Sequence, residues 1–428
     1  MDAPLGIDEG RRRPRDWGPL DVSTKTDAGR ESRPWTTRIV ADPAAPAAGG
    51  RDLVRHEVVL SADTWVVKVG SSVLAGRDGR LDLDRIDHLA EQLCKVTETG
   101  RRVALVSSGA VAAGIGRLGL KGRPDNLRQL QAAAAIGQSH LMRCYDEGMR
   151  KRGRNAAQLL LTHEDFDGRA RYLNMRNTLT ALFEFGAVPI INENDTISVD
   201  EIKFGDNDRL AAMVANLLQA PLLVILSVVD GLYLTDPAKP GPAEVVSCVP
   251  KIDERVLSLA CGGVKSAMGT GGMQSKLASA RLVTQAGGSG GIAAGTRPEP
   301  LTRILAGEEV GTLFLAHGNR HTARKRWIGL TARPRGRFVV DAGARKALET
   351  GMNSLLAIGV VEVVGDFEKG DVVAVCDAEG REFARGLSNY GADDARAVRG
   401  RHTLEVRSLL GSSIYDEVVH RDNLVLIA

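Results

Sequence analysis

Short apolar runs alternate with longer amphipathic stretches through residues 62–325 of this chain. Each run has the length of a strand that is buried on both faces, and the stretches between them repeat their apolar residues at the helical period. This alternation is typical of a mostly parallel sheet covered by helices on both faces, an α/β fold. The predicted strands are 64–69, 103–107, 188–191 and 222–226, and the predicted helices are 83–97, 127–152, 176–185 and 209–218.

The chain divides into regions of different composition. Residues 1–61 are rich in Arg, Pro, Asp, Gly and Ala and have no sustained apolar period, which predicts a disordered N-terminal extension. Alternating apolar runs at 360–364 and 372–376 predict a small β-rich unit. We therefore predict an extension at 1–61, an α/β domain at 62–325, a linker at 326–334, and a β-rich domain with the C-terminal tail at 335–428.

Composition disfavours several classes of protein. The 428 residues are 43% hydrophobic, which is normal for a globular chain with sizeable cores. No apolar run approaches the roughly 18 to 20 residues of a membrane-spanning helix, and we expect no secretory signal. The five cysteines form no C-x-x-C pair, so no thiolate zinc site is indicated, and a net charge of +3 does not by itself indicate a nucleic-acid partner. We expect a cytoplasmic protein without membrane contact.

Two lysines beside glycines are the strongest chemical signal. Lys68 ends an apolar run just before Gly70, and Lys276 follows the glycine-rich segment 269–272. Backbone N–H groups at glycines can approach a ligand closely, and together with an ammonium group they complement a phosphoryl group. A strand followed by a turn can also carry a lysine and a glycine for structural reasons alone. Together the two segments predict a phosphate-binding site.

Acid and amide side chains form a second signal after the third predicted strand. Residues 192–195 read Asn-Glu-Asn-Asp, and residues 205–208 read Gly-Asp-Asn-Asp. Such groups are costly to bury unless they bind a ligand or one another, although Asp206 or Asp208 could simply cap the next helix. Polar turns follow all four predicted strands, and ligands bind at the carboxyl ends of parallel strands. We therefore expect a ligand site at this edge of the sheet.

Two common nucleotide-binding motifs do not explain the glycines. Residues 114–119 match G-x-G-x-x-G, but they begin seven residues beyond the predicted strand and lack the acidic residue that would hold a ribose. Ser275 precedes Lys276, whereas a P-loop places glycine directly before its lysine. A dinucleotide fold and a P-loop NTPase are therefore disfavoured.

The ordered motifs of residues 62–428 resemble the amino-acid kinase family, and within it the glutamate 5-kinases that carry a C-terminal PUA domain. The matching segments begin at Val67, Ser107, Asn192, Gly205 and Gly269, and those of the tail are 367–372 and 384–390. The resemblance implies a three-layer sandwich with a mostly parallel central sheet and a small β-rich PUA domain. It also implies ATP-dependent phosphorylation of the side-chain carboxylate of L-glutamate, the first step of proline biosynthesis.

The resemblance also implies roles for individual residues. Lys68 and Lys276 would contact the phosphates, and Asp208 would orient both lysines. Mg²⁺ would be held mainly by the phosphate oxygens of ATP rather than by a protein site. Glutamate would be held by Ser108, Asn192, Asp195, Asp206 and Asn207. The further ATP contacts would come from Gly70, Ser227, Val228, Thr270, Gly271, Gly272, Met273, Gln274 and Ser275.

One turn departs from the family pattern. Ser227 and Val228 stand where the family usually has Thr-Asp, and valine cannot replace a carboxylate. Because this turn lies on the nucleotide side in the family, we expect an altered ATP affinity or base preference.

Other readings stay open at this point. The chain could be another acyl-phosphate kinase, such as an N-acetylglutamate kinase, although acidic pocket residues suit the free ammonium group of glutamate. It could instead be a regulatory protein that binds RNA through the PUA domain, because Arg324, Lys325, Arg326, Arg396, Arg399 and Arg401 offer basic surface. Solvated arginines are the commoner meaning of such residues. The resemblance further implies a homo-oligomer, a dimer or tetramer, and channelling to glutamate-5-semialdehyde dehydrogenase; inhibition by proline is left open.

Overall fold

The structure is a computed structural model, and the residues that it describes are 52–76, 79–197, 207–234, 244–260, 272–317, 323–350, 353–410 and 415–427. Its first element is a helix, α1 (Leu53–Ser61), which Asp52 caps by accepting hydrogen bonds from Val54 N and Arg55 N. Arg55 is buried and donates to the carbonyl oxygens of Ser247, Val310 and Gly311. The expectation of disorder through residue 61 was therefore wrong for α1, because the long-range hydrogen bonds of Arg55 and the burial of Val59 in the core hold this helix.

One sheet organises the α/β part. Its strands are β1 (Thr64–Val69), β2 (Arg102–Ser107), β3 (Ala156–Leu161), β4 (Val188–Glu193), β5 (Leu222–Ser227), β6 (Cys248–Val249), β7 (Ser289–Ala294) and β8 (Thr312–Phe314). Among the described residues these eight strands lie in the order β3-β4-β2-β1-β5-β7-β8-β6. All neighbours pair in parallel except β7 with β8, which are antiparallel. The predicted α/β class with a mostly parallel sheet is confirmed.

The four predicted strands are confirmed as β1, β2, β4 and β5. Strands β3 and β7 were not predicted. Their sequences, Ala-Ala-Gln-Leu-Leu-Leu and Ser-Gly-Gly-Ile-Ala-Ala, contain almost no β-branched or aromatic residues and therefore carry little strand signal. Backbone hydrogen bonds between β3 and β4, and between β7 and β5, stabilise these two strands although their local strand propensity is low.

Helices cover both faces of the sheet. They are α2 (Ser71–Leu74), α3 (Leu83–Glu98), α4 (Ala110–Leu118), α5 (Leu127–Arg150), α6 (Arg169–Glu184), α7 (Asn207–Leu218), α8 (Glu254–Leu259), α9 (Met273–Gln285) and α10 (Pro300–Leu305). One core contains Trp65 and Val67 of β1 with residues of α3 and α5, and the other contains Val66 with residues of α7 and α9. Because side chains alternate along a strand, Lys68 lies on the face of Val66, toward α7 and α9. No helix in the described ranges is long and apolar enough to cross a membrane.

The G-x-G-x-x-G match at residues 114–119 has a packing role. A Cβ atom on Gly114 would lie 1.8 Å from the carbonyl oxygen of Ala133, and one on Gly137 would lie 1.9 Å from that of Ala110. Helices α4 and α5 therefore approach so closely that only glycine fits at these two positions. Within the pattern, Gly114 therefore has a packing role, and Gly119 ends α4 with a positive φ of 64°.

The C-terminal part forms a separate β-rich unit. After a helix, α11 (Ala323–Arg326), come β9 (Gly336–Val340), α12 (Ala342–Thr350), β10 (Leu355–Leu356), β11 (Val360–Gly365), β12 (Val372–Cys376), β13 (Glu382–Leu387), α13 (Ala392–Val398), α14 (Thr403–Leu410), β14 (Glu417–Val419) and β15 (Leu424–Leu426). Within the described chain, five strands form a sheet in the order β11-β9-β12-β13-β15, and β10 pairs with β14. The predicted small β-rich unit is confirmed.

The segment that we predicted as a linker is buried between the two parts. Residues Trp327–Thr331 form a π-helical turn, and the side chains of Trp327 and Ile328 are 3% and 0% exposed. They share one core with residues of α7 on one side and with Val372, Leu387 and Val425 of the β-rich unit on the other. This turn therefore joins the two parts by packing rather than acting as a loose connection.

Candidate active site

One buried carboxylate joins the two predicted lysines. Asp208, the second residue of α7, is fully buried, and its Oδ1 lies 2.7 Å from Lys68 Nζ while its Oδ2 lies 2.9 Å from Lys276 Nζ. Both lysines are also buried, and Ser275 Oγ donates a hydrogen bond of 3.2 Å to Asp208 Oδ2. The Lys68–Asp208–Lys276 cluster brings residues from β1, α7 and α9 to one place at the carboxyl edge of the sheet.

The electrostatics of this cluster favour an anionic ligand. Burial raises the pKa of Asp208, but the ammonium groups of Lys68 and Lys276 outweigh burial and hold that pKa at about 2. Burial lowers the pKa of Lys276, an effect that Asp208 opposes and Lys68 reinforces. With both lysines protonated, two positive charges face one negative charge, so the cluster carries a net charge that complements a phosphoryl group.

The first turn of α9 adds backbone donors beside Lys276. Helix α9 begins after Gly272, and no side chain caps the helix at that residue. Helix N-termini attract phosphate through exposed N–H groups and the helix dipole. The predicted ATP-contact residues Gly272, Met273, Gln274 and Ser275 lie at this helix start. Thr270 and Gly271, predicted for the same site, lie outside the described residues.

The turn after β1 differs from our expectation for Gly70. Its N–H group donates to the carbonyl oxygen of Leu226 at 3.3 Å, and its φ of −80° is one that any residue can adopt. This amide therefore ties β1 to the end of β5 rather than facing outward. A Cβ atom on Gly70 would lie 3.7 Å from Lys68 Nζ, an ordinary van der Waals distance, so Gly70 lies directly beside that ammonium group.

The turn after β5 carries the departure from the family pattern. Ser227 is half-buried and Val228 is 43% exposed. The nearest carboxylate along this turn, Asp230, accepts hydrogen bonds of 2.6 and 3.0 Å from Arg297 and one from the Tyr233 hydroxyl. Asp230 is therefore engaged elsewhere and does not stand in for the missing acid.

The predicted amide and hydroxyl residues also meet. Asn207 Nδ2 donates to Ser108 Oγ at 2.8 Å and to Asn192 Oδ1 at 3.0 Å. All three residues are buried, and they come from the ends of β2, β4 and α7. Asn207 immediately precedes Asp208, so one helix terminus connects this polar network to the lysine cluster. Asp206 lies outside the described residues.

Asp195, three residues after Asn192 in the chain, contributes a buried carboxylate. Its side chain is 7% exposed, and Oδ1 has no hydrogen-bond partner among the described residues. Burial, with a further contribution from the neighbouring Glu193 carboxylate, raises the pKa of Asp195 to about 7, and Arg123 opposes the rise. An acceptor so buried is well suited to a cationic ligand group.

Sequence reasoning missed several polar residues that support this edge. Gln138 and Tyr145 of α5 contact residues of this edge. Asn192 Nδ2 donates to Gln138 Oε1 at 2.9 Å, and the Tyr145 hydroxyl lies 2.8 Å from Ser107 Oγ. His163 Nδ1 lies 3.9 Å from Glu193 Oε1, and both side chains are buried. Gln138 and Tyr145 are seven residues apart, which is two helical turns, so they lie on the same face of α5. Polar side chains on a face that is otherwise apolar were the sequence signal that could have indicated these residues.

The chain is similar to known proteins over most of its length. The model of the amino acid kinase family matches residues 63–292, and that of the PUA domain matches residues 336–410. Among solved structures, carbamate kinase from Giardia lamblia bound to AMP-PNP matches with a TM-score of 0.44 and 17% identity, over 60% of this chain and 99% of that chain. Glutamate 5-kinase from Syntrophotalea carbinolica is 46% identical over 373 residues, which are 87% of this chain and 100% of the relative. Glutamate 5-kinase from Citrifermentans bemidjiense is 46% identical over 374 residues, with the same two coverages. The chain therefore belongs to the amino acid kinase family, in its glutamate 5-kinase branch, and carries a C-terminal PUA domain.

Proposed function

We propose that this protein transfers the γ-phosphoryl group of ATP to the side-chain carboxylate of L-glutamate, giving L-glutamyl 5-phosphate and ADP. The observation that carries the proposal is the Lys68–Asp208–Lys276 cluster, with its distances of 2.7 and 2.9 Å, beside a buried polar network. Its support from comparison is the 46% identity to glutamate 5-kinases along their full length. The reaction is the first step of proline biosynthesis.

The chemistry suits a site that has cations and no dedicated base. A glutamate side chain has an ordinary pKa of about 4.3 and is already ionised at neutral pH, so the nucleophile needs no deprotonation. One carboxylate oxygen forms the new O–P bond, the bond between the γ-phosphorus and the bridging oxygen breaks, and ADP leaves with the electron pair. Bringing two anions together is the main obstacle, and Lys68 and Lys276 offset it by neutralising phosphate charge.

We assign the remaining site residues by position. Asp208 holds both ammonium groups in place, as its contacts to Lys68 and Lys276 support. Ser108, Asn207 and Asp195 contact glutamate, and Asn192 supports them. Asp206 joins them by resemblance alone. The nucleotide is held by Ser227, Val228, Gly272, Met273, Gln274 and Ser275, with Thr270 and Gly271 added by resemblance alone; Gly70 lies beside Lys68, and its own N–H group is bonded to Leu226 O.

Mg²⁺ enters this proposal with the nucleotide. In the part of the chain that the structure describes, no group of three or more His, Cys, Asp or Glu residues could hold a metal ion. Both oxygens of Asp208 face ammonium groups at 2.7 and 2.9 Å, so this carboxylate is not a suitable ligand. We propose Mg·ATP as the substrate, with the cation held on phosphate oxygens, as the family resemblance implies.

The test is formation of a trapped acyl phosphate. Purified protein with Mg·ATP and hydroxylamine should produce hydroxamate with L-glutamate, and not with N-acetyl-L-glutamate, L-aspartate or UMP. Lys276→Ala should abolish it, whereas Lys251→Ala, a change at an exposed lysine outside the cluster, should leave it unchanged. Turnover with N-acetyl-L-glutamate alone, or equal activity in Lys276→Ala, would contradict the proposal.

The alternatives have less support. Buried acceptors at Asp195 and Asn207 suit an ammonium group, which N-acetylglutamate lacks. For RNA binding, Arg326 is only 5% exposed and so adds little to the basic surface, whereas Arg396 is exposed and forms a surface ion pair with Asp393. A cytoplasmic location, a homo-oligomer, and hand-over of the hydrolysable product to glutamate-5-semialdehyde dehydrogenase complete the proposal, and these three rest on family expectation.

A further inference from the structure

We infer that Gln138 and Asn192 are positioning residues that determine which atom of Asn207 meets the substrate. The oxygen of Asn207 then faces the substrate and accepts a hydrogen bond from it. This favours a substrate that carries an ammonium group, a hydrogen-bond donor, on its α-carbon. This inference rests on the proposed glutamate kinase function and deepens it. It concerns the polarity of the pocket rather than the identity of the groups that contact glutamate.

The polarity begins at a backbone amide. The N–H group of Glu193 donates to Asn192 Oδ1 at 2.9 Å. A backbone amide nitrogen can only donate, so Asn192 must turn its oxygen toward Glu193 and its nitrogen away. That nitrogen, Nδ2, donates to Gln138 Oε1 at 2.9 Å. Glu193 N–H and Gln138 Oε1 therefore hold the two ends of the Asn192 amide in one orientation.

Asn192 then determines the orientation of Asn207. Because Asn192 Oδ1 is an acceptor, the Asn207 atom that lies 3.0 Å from it must be the nitrogen. The second hydrogen on that nitrogen goes to Ser108 Oγ at 2.8 Å. Both hydrogens of the Asn207 amide are therefore used inside the protein, and only its oxygen remains for a ligand.

The remaining oxygen is buried and unsatisfied. Asn207 is 1% exposed, and its Oδ1 has no hydrogen-bond partner among the described residues. Asp195 Oδ1 is also buried and has no hydrogen-bond partner among the described residues. Buried acceptors without a donor are costly, and a ligand that supplies N–H groups would recover that cost. An ammonium group has three hydrogens and can donate to both acceptors.

Ser108 has the complementary role. Its oxygen already accepts from Asn207 Nδ2 at 2.8 Å, which leaves the hydroxyl hydrogen to be donated to another acceptor. The network therefore offers a donor at Ser108 and acceptors at Asn207 and Asp195. An α-amino acid carries both a carboxylate and an ammonium group, and it satisfies all three.

The test separates this role from simple structural support. In Gln138→Leu, Asn192 Nδ2 loses its acceptor, so the Glu193 N–H group alone holds the Asn192 amide and, through it, the Asn207 amide. We expect the KM for L-glutamate to rise about tenfold, the cost of one unsatisfied hydrogen bond. We expect the Ki for glutarate, which lacks the ammonium group, to change less than about threefold, and kcat and the KM for ATP to stay near wild type.

Conservative variants of the same length provide the controls. Gln138→Glu keeps an acceptor for Asn192 Nδ2 and should restore the KM for L-glutamate. Asn192→Asp keeps an acceptor for both Glu193 N and Asn207 Nδ2, and it should retain the preference for L-glutamate over glutarate even if Gln138→Leu folds poorly. A parallel loss of L-glutamate, glutarate and ATP binding in Gln138→Leu, or loss of the preference in Asn192→Asp, would overturn the inference.

The outcome also separates this inference from the function on which it rests. If the wild-type protein forms no hydroxamate with L-glutamate, both fail. If the wild-type protein turns over L-glutamate and the ratio of glutarate Ki to L-glutamate KM is unchanged in Gln138→Leu, the kinase function stands and the positioning role of Gln138 and Asn192 is refuted.

Discussion

Trp327 donates its indole N–H to the carbonyl oxygen of Phe166 at 2.7 Å. Phe166 ends a 3₁₀ turn, His163–Phe166, that directly follows β3, and His163 at its other end lies 3.9 Å from Glu193. The backbone N–H of Arg333 donates to Asp167, the residue after this turn, at 2.9 Å. One short turn therefore contacts the junction between the two domains and, at its other end, the acidic edge of the candidate site.

Replacing Trp327 should test how far this junction stabilises the protein. Trp327→Phe keeps most of the buried ring but leaves the Phe166 carbonyl without its donor, and we expect a loss of about 1–3 kcal/mol in the free energy of unfolding. Trp327→Ala also opens a cavity and should cost about 3–5 kcal/mol. Urea denaturation measures both. Phe185→Ala, at a ring that is 80% exposed, is the control and should change stability by less than about 0.5 kcal/mol.

Asp208→Asn should damage catalysis and stability together. The substitution leaves two buried ammonium groups without a counter-charge, and breaking a buried ion pair costs about 3–5 kcal/mol. It also frees both lysines from their common anchor, so we expect kcat for hydroxamate formation to fall by about 100-fold or more. Thermal unfolding and steady-state kinetics report the two effects. Asp146→Asn, at a surface acid, should be neutral in both assays, and a fully active Asp208→Asn protein would refute the orienting role.

Glutamate affinity should depend on pH through Asp195. Because the pKa of this carboxyl group is about 7, roughly half of the ligand-free protein carries it protonated at neutrality. An ammonium ligand needs the carboxylate, so the KM for L-glutamate should fall as the pH rises from 6 to 8. The KM measured in Asp195→Asn should be higher and independent of pH over that range. A wild-type KM that is flat from pH 6 to 8 would contradict this role.

The same carboxyl group should affect stability in the opposite direction. Its pKa is raised in the folded state from an ordinary value of about 3.9 to about 7, so the folded protein holds the proton more tightly than the unfolded chain. The stability that this group contributes is present below about pH 4 and is lost as the pH rises toward 7. Relative to wild type, Asp195→Asn should therefore be more stable at pH 8 than at pH 5, as urea denaturation at both values would show.

Val228→Asp should improve nucleotide binding. Val228 is 43% exposed, and Asp230, two residues further along the turn, is already engaged by Arg297. We expect the KM for ATP to fall several-fold and kcat to stay unchanged, because the lysine cluster is not altered. Val361→Asp, at a valine of the PUA domain that is 59% exposed, is the matched control. An unchanged KM for ATP would show that valine at this position does not weaken ATP binding.

Local pattern was sufficient for the features that depend on nearby residues. Strands β1, β2, β4 and β5 have apolar runs of their own and could be predicted, and their carboxyl ends had to meet at one edge once the sheet was parallel. Strands β3 and β7 could not be predicted, because their Ala, Gly and Ser residues become strands only by pairing with neighbours. Helix α1 was missed for a related reason, since Arg55 is held by Ser247, Val310 and Gly311, which lie far along the chain.

The sequence by itself determined the residue types of the site, because Lys68, Lys276 and the acid and amide turns each follow a predicted strand or glycine-rich segment. Tertiary structure alone decided how these groups pair. Asp208 lies between two lysines from different elements, and the amide of Asn207 is oriented by Asn192 and Gln138. Hydrogen-bond polarity and ion pairing depend on distances of about 3 Å between residues far apart in the chain, and only packing of the helices onto the sheet sets such distances.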